Sequence, residues 1–187
     1  HSFYAQHTEE FYDFYKNKMV FLDAEPNKAH KKLAELEAAG KLSAIITQNI
    51  DGLHQKAGSK NVYELHGSVH RNYCVKCHKF FDAEYVVSAK GVPHCDDCQG
   101  IVKPDVVLYE ENLDGNVMQG AINAIANADM LIIGGTSLVV YPAAGMIDYF
   151  RGKYLAVLNR DATSRDRQAD VCITDPIGEV LGQIAVR

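Results

Sequence analysis

Apolar and polar positions run along this chain in two rhythms, with one stretch that follows neither. From Phe3 to Met19, aromatic residues at 3, 4, 11, 12, 14 and 15 are separated by polar ones, a spacing that predicts an amphipathic helix. Pro26 then opens a second helix over Asn27 to Ala39, rich in Ala, Leu, Glu and Lys, and Gly40 supplies its stop. Ser43 to Thr47 reads as a short buried strand, and Asn49 to Gly58 as a strand-to-helix turn. From about His70 to Lys103 the periodicity gives way to polar residues, cysteine pairs and short turns, which predicts an inserted module. After Pro104 the rhythm returns: strands at 105–109, 130–135, 154–159 and 170–174, helices at 115–128, 142–150 and 176–184. Strands alternating with helices of this length predict an α/β fold whose parallel sheet is covered on both faces.

Such a sheet binds ligands at the carboxyl ends of its strands. Here that singles out the turns after Thr47, Tyr109, Ile133 and Leu158. At 187 residues, 47% of them hydrophobic and 23% charged, the chain is long enough to bury a real core. Its net charge of -5 argues against nucleic acid or an anionic membrane as the main partner, because both need clustered Lys and Arg. The longest apolar run, Met130 to Ile133 with its flanks, is far short of the roughly 18 residues that span a bilayer. No charged segment leading into an apolar one suggests secretion, and five cysteines, an odd number, fit reduced thiols. A cytoplasmic location is expected.

Four of those cysteines form the strongest local pattern. Cys74 and Cys77 make one C-x2-C knuckle, Cys95 and Cys98 a second, with seventeen residues between them, a spacing suited to one tetrahedral zinc ion. Four thiolates leave no open position for water, so this zinc is expected to be structural. His70, His78 and His94 are then expected to be exposed or to hydrogen bond around the site. Cys172, in an apolar strand, is expected to be a small buried hydrophobe.

Two polar turns remain. Gly134 to Gly145, "GGTSLVVYPAAG", follows an apolar strand with small residues whose backbone N–H groups could meet a phosphate; it could equally be a plain connection. "TQNIDGLH", Thr47 to His54, places amide and acid side chains directly after a buried strand, which is costly unless they are paired or line a cleft. An ordinary Asx turn would account for it as well.

Taken in order, "TQNIDGLH", "HG" at 66 and 67, the paired cysteines, "KPDVVLYEE", "GTSLVVYPAAG" and "VLN" resemble the sirtuin family of NAD-dependent protein lysine deacylases, of the bacterial type, across essentially the whole chain. The resemblance implies a Rossmann-like NAD-binding domain from 1–69 and 104–187, whose segment 1–40 also contributes to a small domain, and a zinc-binding module at 70–103. It implies NAD as co-substrate, one structural zinc, and an acyl-lysine protein or peptide as partner, the products being nicotinamide and O-acyl-ADP-ribose. His66 would be the catalytic base, with Asn49 and Asp51 beside the nicotinamide ribose and carboxamide, and Gln48 in the same pocket. Gly135, Thr136 and Ser137 would meet phosphates and ribose, and Asn159 the adenosine ribose, with Arg160 and Asp175 counted among the cofactor contacts. Val107, Tyr109, Val140 and Tyr12 would contact the acyl-lysine substrate.

Departures from the family pattern qualify these expectations. The family's first strand with its Gly-Ala-Gly turn, and a Gly-Ile-Pro-Asp-Phe-Arg-like loop, are absent from a sequence that starts at His1, so the sheet is expected without its first strand. Glu110 stands where the family has Gly, and Gly134, where an apolar residue is usual, should add local flexibility. Members that remove acidic acyl groups carry Tyr and, three positions on, an Arg; here Tyr12 is followed by Tyr15, so uncharged acyl groups are expected. Two other readings stay open: mono-ADP-ribosyl transfer, and a catalytically impaired module that binds nucleotide or acyl-lysine.

Overall fold

The computed structural model describes residues 1–186; Arg187, the last residue of the expected 104–187 segment, lies outside them. In chain order the elements are α1 (Ser2–Gln6), α2 (Thr8–Lys18), α3 (Lys28–Ala38), β1 (Ile45–Thr47), α4 (Leu53–Lys56), β2 (Val62–Glu64), β3 (Gly67–Cys74), β4 (Phe80–Phe81), α5 (Ala83–Ser88), β5 (Val102–Val106), α6 (Gly115–Ala126), β6 (Met130–Gly134), β7 (Tyr154–Leu158), β8 (Val171–Ile173) and α7 (Ile177–Gly182), with a 3₁₀ segment at Ala143–Tyr149. They form two compact units. The first comprises His1–Ala24, Thr47–Gly52 and His66–Leu113; the second comprises Glu25–Ile46, Leu53–Leu65 and 114 onward.

The second unit holds a parallel sheet in the order β6-β7-β8, Ile133 lying opposite Val157 and Val157 opposite Cys172. Alternate side chains of β7 point to opposite faces, as strand geometry requires. Leu155 and Val157 join Ile133, Leu138 and Ala144 on one side. Leu158 joins Ala29 and Leu181 on the other, under α3 and α7. Both faces are therefore covered, as the alternation of elements predicts, and the fold is Rossmann-like α/β. Asn27 caps α3: its side chain accepts from the Ala29 and His30 N–H groups, while the His30 ring returns a bond to the Asn27 amide. Asp114 caps α6 in the same way, accepting from Asn116 and Val117.

The first unit is built on an antiparallel sheet, β4-β3-β5, with α1, α2 and α5. Its core contains the N-terminal aromatic residues and the cysteine strand together: Phe11, Tyr12 and Tyr15 pack with Val69, Phe81, Val86 and Val102. Phe11 meets Tyr12 edge-on, with ring centroids 5.2 Å apart, and stacks on Tyr15 at 5.6 Å. The single helix predicted over Phe3 to Met19 is two, broken at His7. There the Thr8 hydroxyl donates to the Tyr4 carbonyl, and Glu9 and Glu10 favour a new helix N-terminus. The strand predicted over 105–109 lies earlier, at Val102–Val106, and is antiparallel to β3; it belongs to the cysteine-bearing unit rather than to the parallel sheet.

Candidate active site

In the first unit the Sγ atoms of Cys74, Cys77, Cys95 and Cys98 all lie within 4.8 Å of one another, with Cys74 to Cys98 at 3.3 Å and Cys77 to Cys95 at 3.6 Å. Tetrahedral zinc bonded to four thiolates at about 2.3 Å needs sulfurs roughly 3.8 Å apart, so this donor set fits zinc. The electrostatics agree. Burial opposes ionisation of Cys74, but the N–H groups of Cys77 and Lys76 pointing at its sulfur bring the thiol down to about 6. At Cys77 the Lys79 N–H favours the thiolate, yet the sulfurs of Cys98, Cys74 and Cys95 push it up to about 12. Four ionised sulfurs therefore require a cation among them. Lys79 bridges Asp96 at 2.7 Å and Asp97 at 3.0 Å, tying the two knuckles together. His94 is exposed and bonded to the Gln99 carbonyl through Nδ1, and His78 is exposed in a left-handed turn.

β3 runs from this cluster back to His66, which is half-buried. The His66 Nδ1 lies 3.0 Å from the Gln48 carbonyl, and the His66 carbonyl accepts from the Val107 N–H. A carbonyl can only accept, so Nδ1 carries the proton and the neutral ring presents Nε2 as a free base. Gly67 is mandatory beside it: at φ +75 a Cβ would sit 1.9 Å from the Asp105 carbonyl oxygen. Facing His66 is the turn that begins at Thr47, whose hydroxyl accepts from the Asn49 N–H. Asn49 is exposed and Asp51 half-buried. The structure thus ties His66 to Gln48 and to Val107 through main-chain groups, with Asn49 and Asp51 in the same turn as Gln48. It misses Thr47, whose hydroxyl shapes the turn and which a Ser/Thr-turn signal could have revealed.

The cofactor candidates of the second unit collect at one edge of the parallel sheet. Gly135, Thr136 and Ser137 follow the carboxyl end of β6, Asn159 and Arg160 that of β7, and Asp175 lies just past β8. The Gly135 N–H donates to the Leu158 carbonyl, the Leu138 N–H to the Thr136 hydroxyl, and the Asn159 side chain to the Asp161 carbonyl. Gly135, at φ +61, takes the left-handed conformation that glycine tolerates best.

Other expectations need correcting. Tyr12 is fully buried, and its hydroxyl donates to the Val102 carbonyl at 2.6 Å. It is a core residue and does not present itself to an acyl-lysine; Tyr109 and Val140 are exposed. Cys172 is also exposed, because β8 is the edge strand of its sheet; its sulfur lies 3.6 Å from the Asp166 carbonyl. Gly134 does not serve flexibility: a Cβ there would meet Ile177 Cδ1 at 2.4 Å, so the α7 side chain fills the space. Glu110 explains why glycine suits its position, since its φ is +77. The Ser2 hydroxyl and amide hold its carboxylate, keeping its pKa below the usual range.

Residues 1–142 match the Sir2 family. The NAD-dependent protein deacetylase of Clostridium perfringens is 63% identical over 185 residues, covering 98% of this chain and 76% of that protein. The Clostridium acetobutylicum enzyme of the same name is 62% identical over 182 residues, 97% of this chain and 74% of its own. Among solved structures, Sir2 with a p53 peptide and NAD+ superposes with a TM-score of 0.88 at 41% identity, covering 96% of this chain and 78% of that one. Sir2 bound to acetylated peptide gives 0.87 at 41% identity over 96% and 78%.

Proposed function

Since this chain belongs to the Sir2 family, we propose that it is an NAD-dependent protein lysine deacylase acting on acetyl-lysine, with His66 as its base. In this reaction the acyl oxygen displaces nicotinamide from the ribose of NAD, a ribose hydroxyl then attacks the acyl carbon, and water completes release of lysine and O-acyl-ADP-ribose. His66 takes the hydroxyl proton at Nε2. Asn49 and Asp51 bind the nicotinamide ribose and carboxamide, and Gln48 lines the same pocket. Gly135, Thr136 and Ser137 hold phosphate and ribose oxygens, Asn159 the adenosine ribose, and Arg160 and Asp175 lie among these contacts. Val107, Tyr109 and Val140 contact the acyl-lysine peptide. The four-cysteine zinc site is structural and lies outside the reaction.

One observation carries the reading: the Gln48 carbonyl at His66 Nδ1 fixes the tautomer that leaves Nε2 basic. Ribosyl transfer to another acceptor also expels nicotinamide but does not need a base for the step that follows. A preference for uncharged acyl groups is supported by the α2 core, where Tyr12 and Tyr15 are buried, and by Lys16, whose ammonium is bound to the Ala89 and Gly91 carbonyls. Reduced thiols for zinc support a cytoplasmic site, and no helix among the described residues is long and apolar enough to cross a membrane.

Incubation with NAD and an acetyl-lysine peptide, wild type against His66→Ala, tests the proposal: wild type should release nicotinamide and acyl-ADP-ribose, the variant little of the latter. No nicotinamide from wild type would sink it. Faster turnover of a succinyl-lysine peptide than of an acetyl-lysine one would overturn the acyl preference.

A further inference from the structure

β3 does not pair regularly with β5. Ser68 lies opposite Asp105 and Asn72 opposite Pro104, so Val69, His70 and Arg71 bulge from the ladder. Bulges re-aim side chains, and they concentrate beside active sites. All three residues are engaged. The Val69 N–H donates to the Ile50 carbonyl at 3.0 Å, and Arg71 Nε meets Asp105 at 2.8 Å. The fully buried Asn72 braces the bulge by donating to the carbonyls of Val69 and Phe81. His70 Nε2 lies 3.0 Å from the Asp51 carbonyl, and since a carbonyl only accepts, that nitrogen carries a proton.

The partner loop is shaped to receive the ring. Gly52 sits at φ +68, and a Cβ on it would be 2.7 Å from His70 Cδ2, so the imidazole lies against the bare backbone that follows Asp51. Two consecutive carbonyls of the loop, those of Ile50 and Asp51, are thus held by two consecutive residues of the bulge.

We infer that His70 is a positioning residue for the reaction: through the β3 bulge it clamps the 48–52 loop, and so fixes Asn49 and Asp51 against the nicotinamide ribose. The consequence for NAD rests on the deacylase reading; the clamp itself does not. His70 is exposed, so burial does not hold the ring in place and the bond to Asp51 is what orients it.

The test combines kinetics with amide exchange. His70→Ala should raise the KM for NAD and lower kcat/KM about tenfold, the upper range for one lost hydrogen bond, with zinc content unchanged. The Val69 amide should exchange faster by a similar factor. His70→Gln, whose amide can still donate to the Asp51 carbonyl, should recover most of both. Gly52→Ala should be harmful in the wild type and at least about threefold less so in His70→Ala, because part of its cost is collision with the ring. Wild-type KM and Val69 exchange in His70→Ala would overturn the inference, as would His70→Gln failing equally, zinc loss in His70→Ala, or additive effects of the Gly52 and His70 changes. If the wild type releases no nicotinamide, the deacylase reading fails, while Val69 exchange still decides the clamp.

Discussion

The two ends of β3 are built on opposite plans. At Cys74 the polar atoms face one another, and four sulfurs within 4.8 Å are satisfied only by a cation in their midst. At His66 the polar atoms are anchored from behind by a main-chain carbonyl and a main-chain amide, which leaves Nε2 of the ring uncommitted. One end is closed, so its value is mechanical. The other is held but open, which suits the role of base proposed for it. On that reading a single strand of eight residues separates a group that must never react from one that must.

The sharpest way to break this contrast is at the closed end. Cys95→Ser should abolish zinc binding, from about one ion per chain, and with it cooperative melting of the first unit, since structural zinc contributes on the order of 10 kcal/mol. Metal analysis and thermal melting check this, and retention of both would mean the thiols are not ligands. At the open end, His66→Ala should lower deacylation by about 10²- to 10⁴-fold while zinc content and melting stay as in the wild type. A parallel loss of zinc would show the two ends to be one structural element.

Smaller effects come from the helix packed against the same strand system. Tyr12→Phe removes the buried bond to the Val102 carbonyl and should cost about 1 kcal/mol, or roughly 2–4 °C in melting temperature. Tyr15 is equally buried, but its hydroxyl has no hydrogen-bond partner among the described residues. Tyr15→Phe should therefore change stability by less than about 0.5 kcal/mol or raise it, because it relieves an uncompensated polar group. Equal losses for the two tyrosines would remove the distinction drawn between them.

What could be read from the residues follows the range of the forces involved. The cysteine knuckles are legible because two short spacings bring four ligands to one ion, whatever surrounds them. The parallel sheet is legible because burial on both faces imposes continuous apolar runs on β6 and β7. Gln48, Asn49 and Asp51 share one turn, so their proximity is written in the sequence. The burial of Tyr12 is not, since it depends on Val102, ninety residues away. The exposure of Cys172 depends on β8 being an edge strand, which strand composition does not reveal. The β3 bulge is not legible, because no Gly or Pro among Val69, His70 and Arg71 marks a break in the strand.

Gly67 makes a final point about how such a site can change. With the Asp105 carbonyl 1.9 Å from where a Cβ would stand, no larger side chain fits unless β5 retreats, and β5 leads into the residue whose amide holds the His66 carbonyl. The imidazole cannot be moved one step along the strand by any single substitution that leaves the sheet intact. Single-step mutational routes out of this arrangement are closed by geometry, so the dipeptide His66-Gly67 is expected to be inherited or lost as one unit.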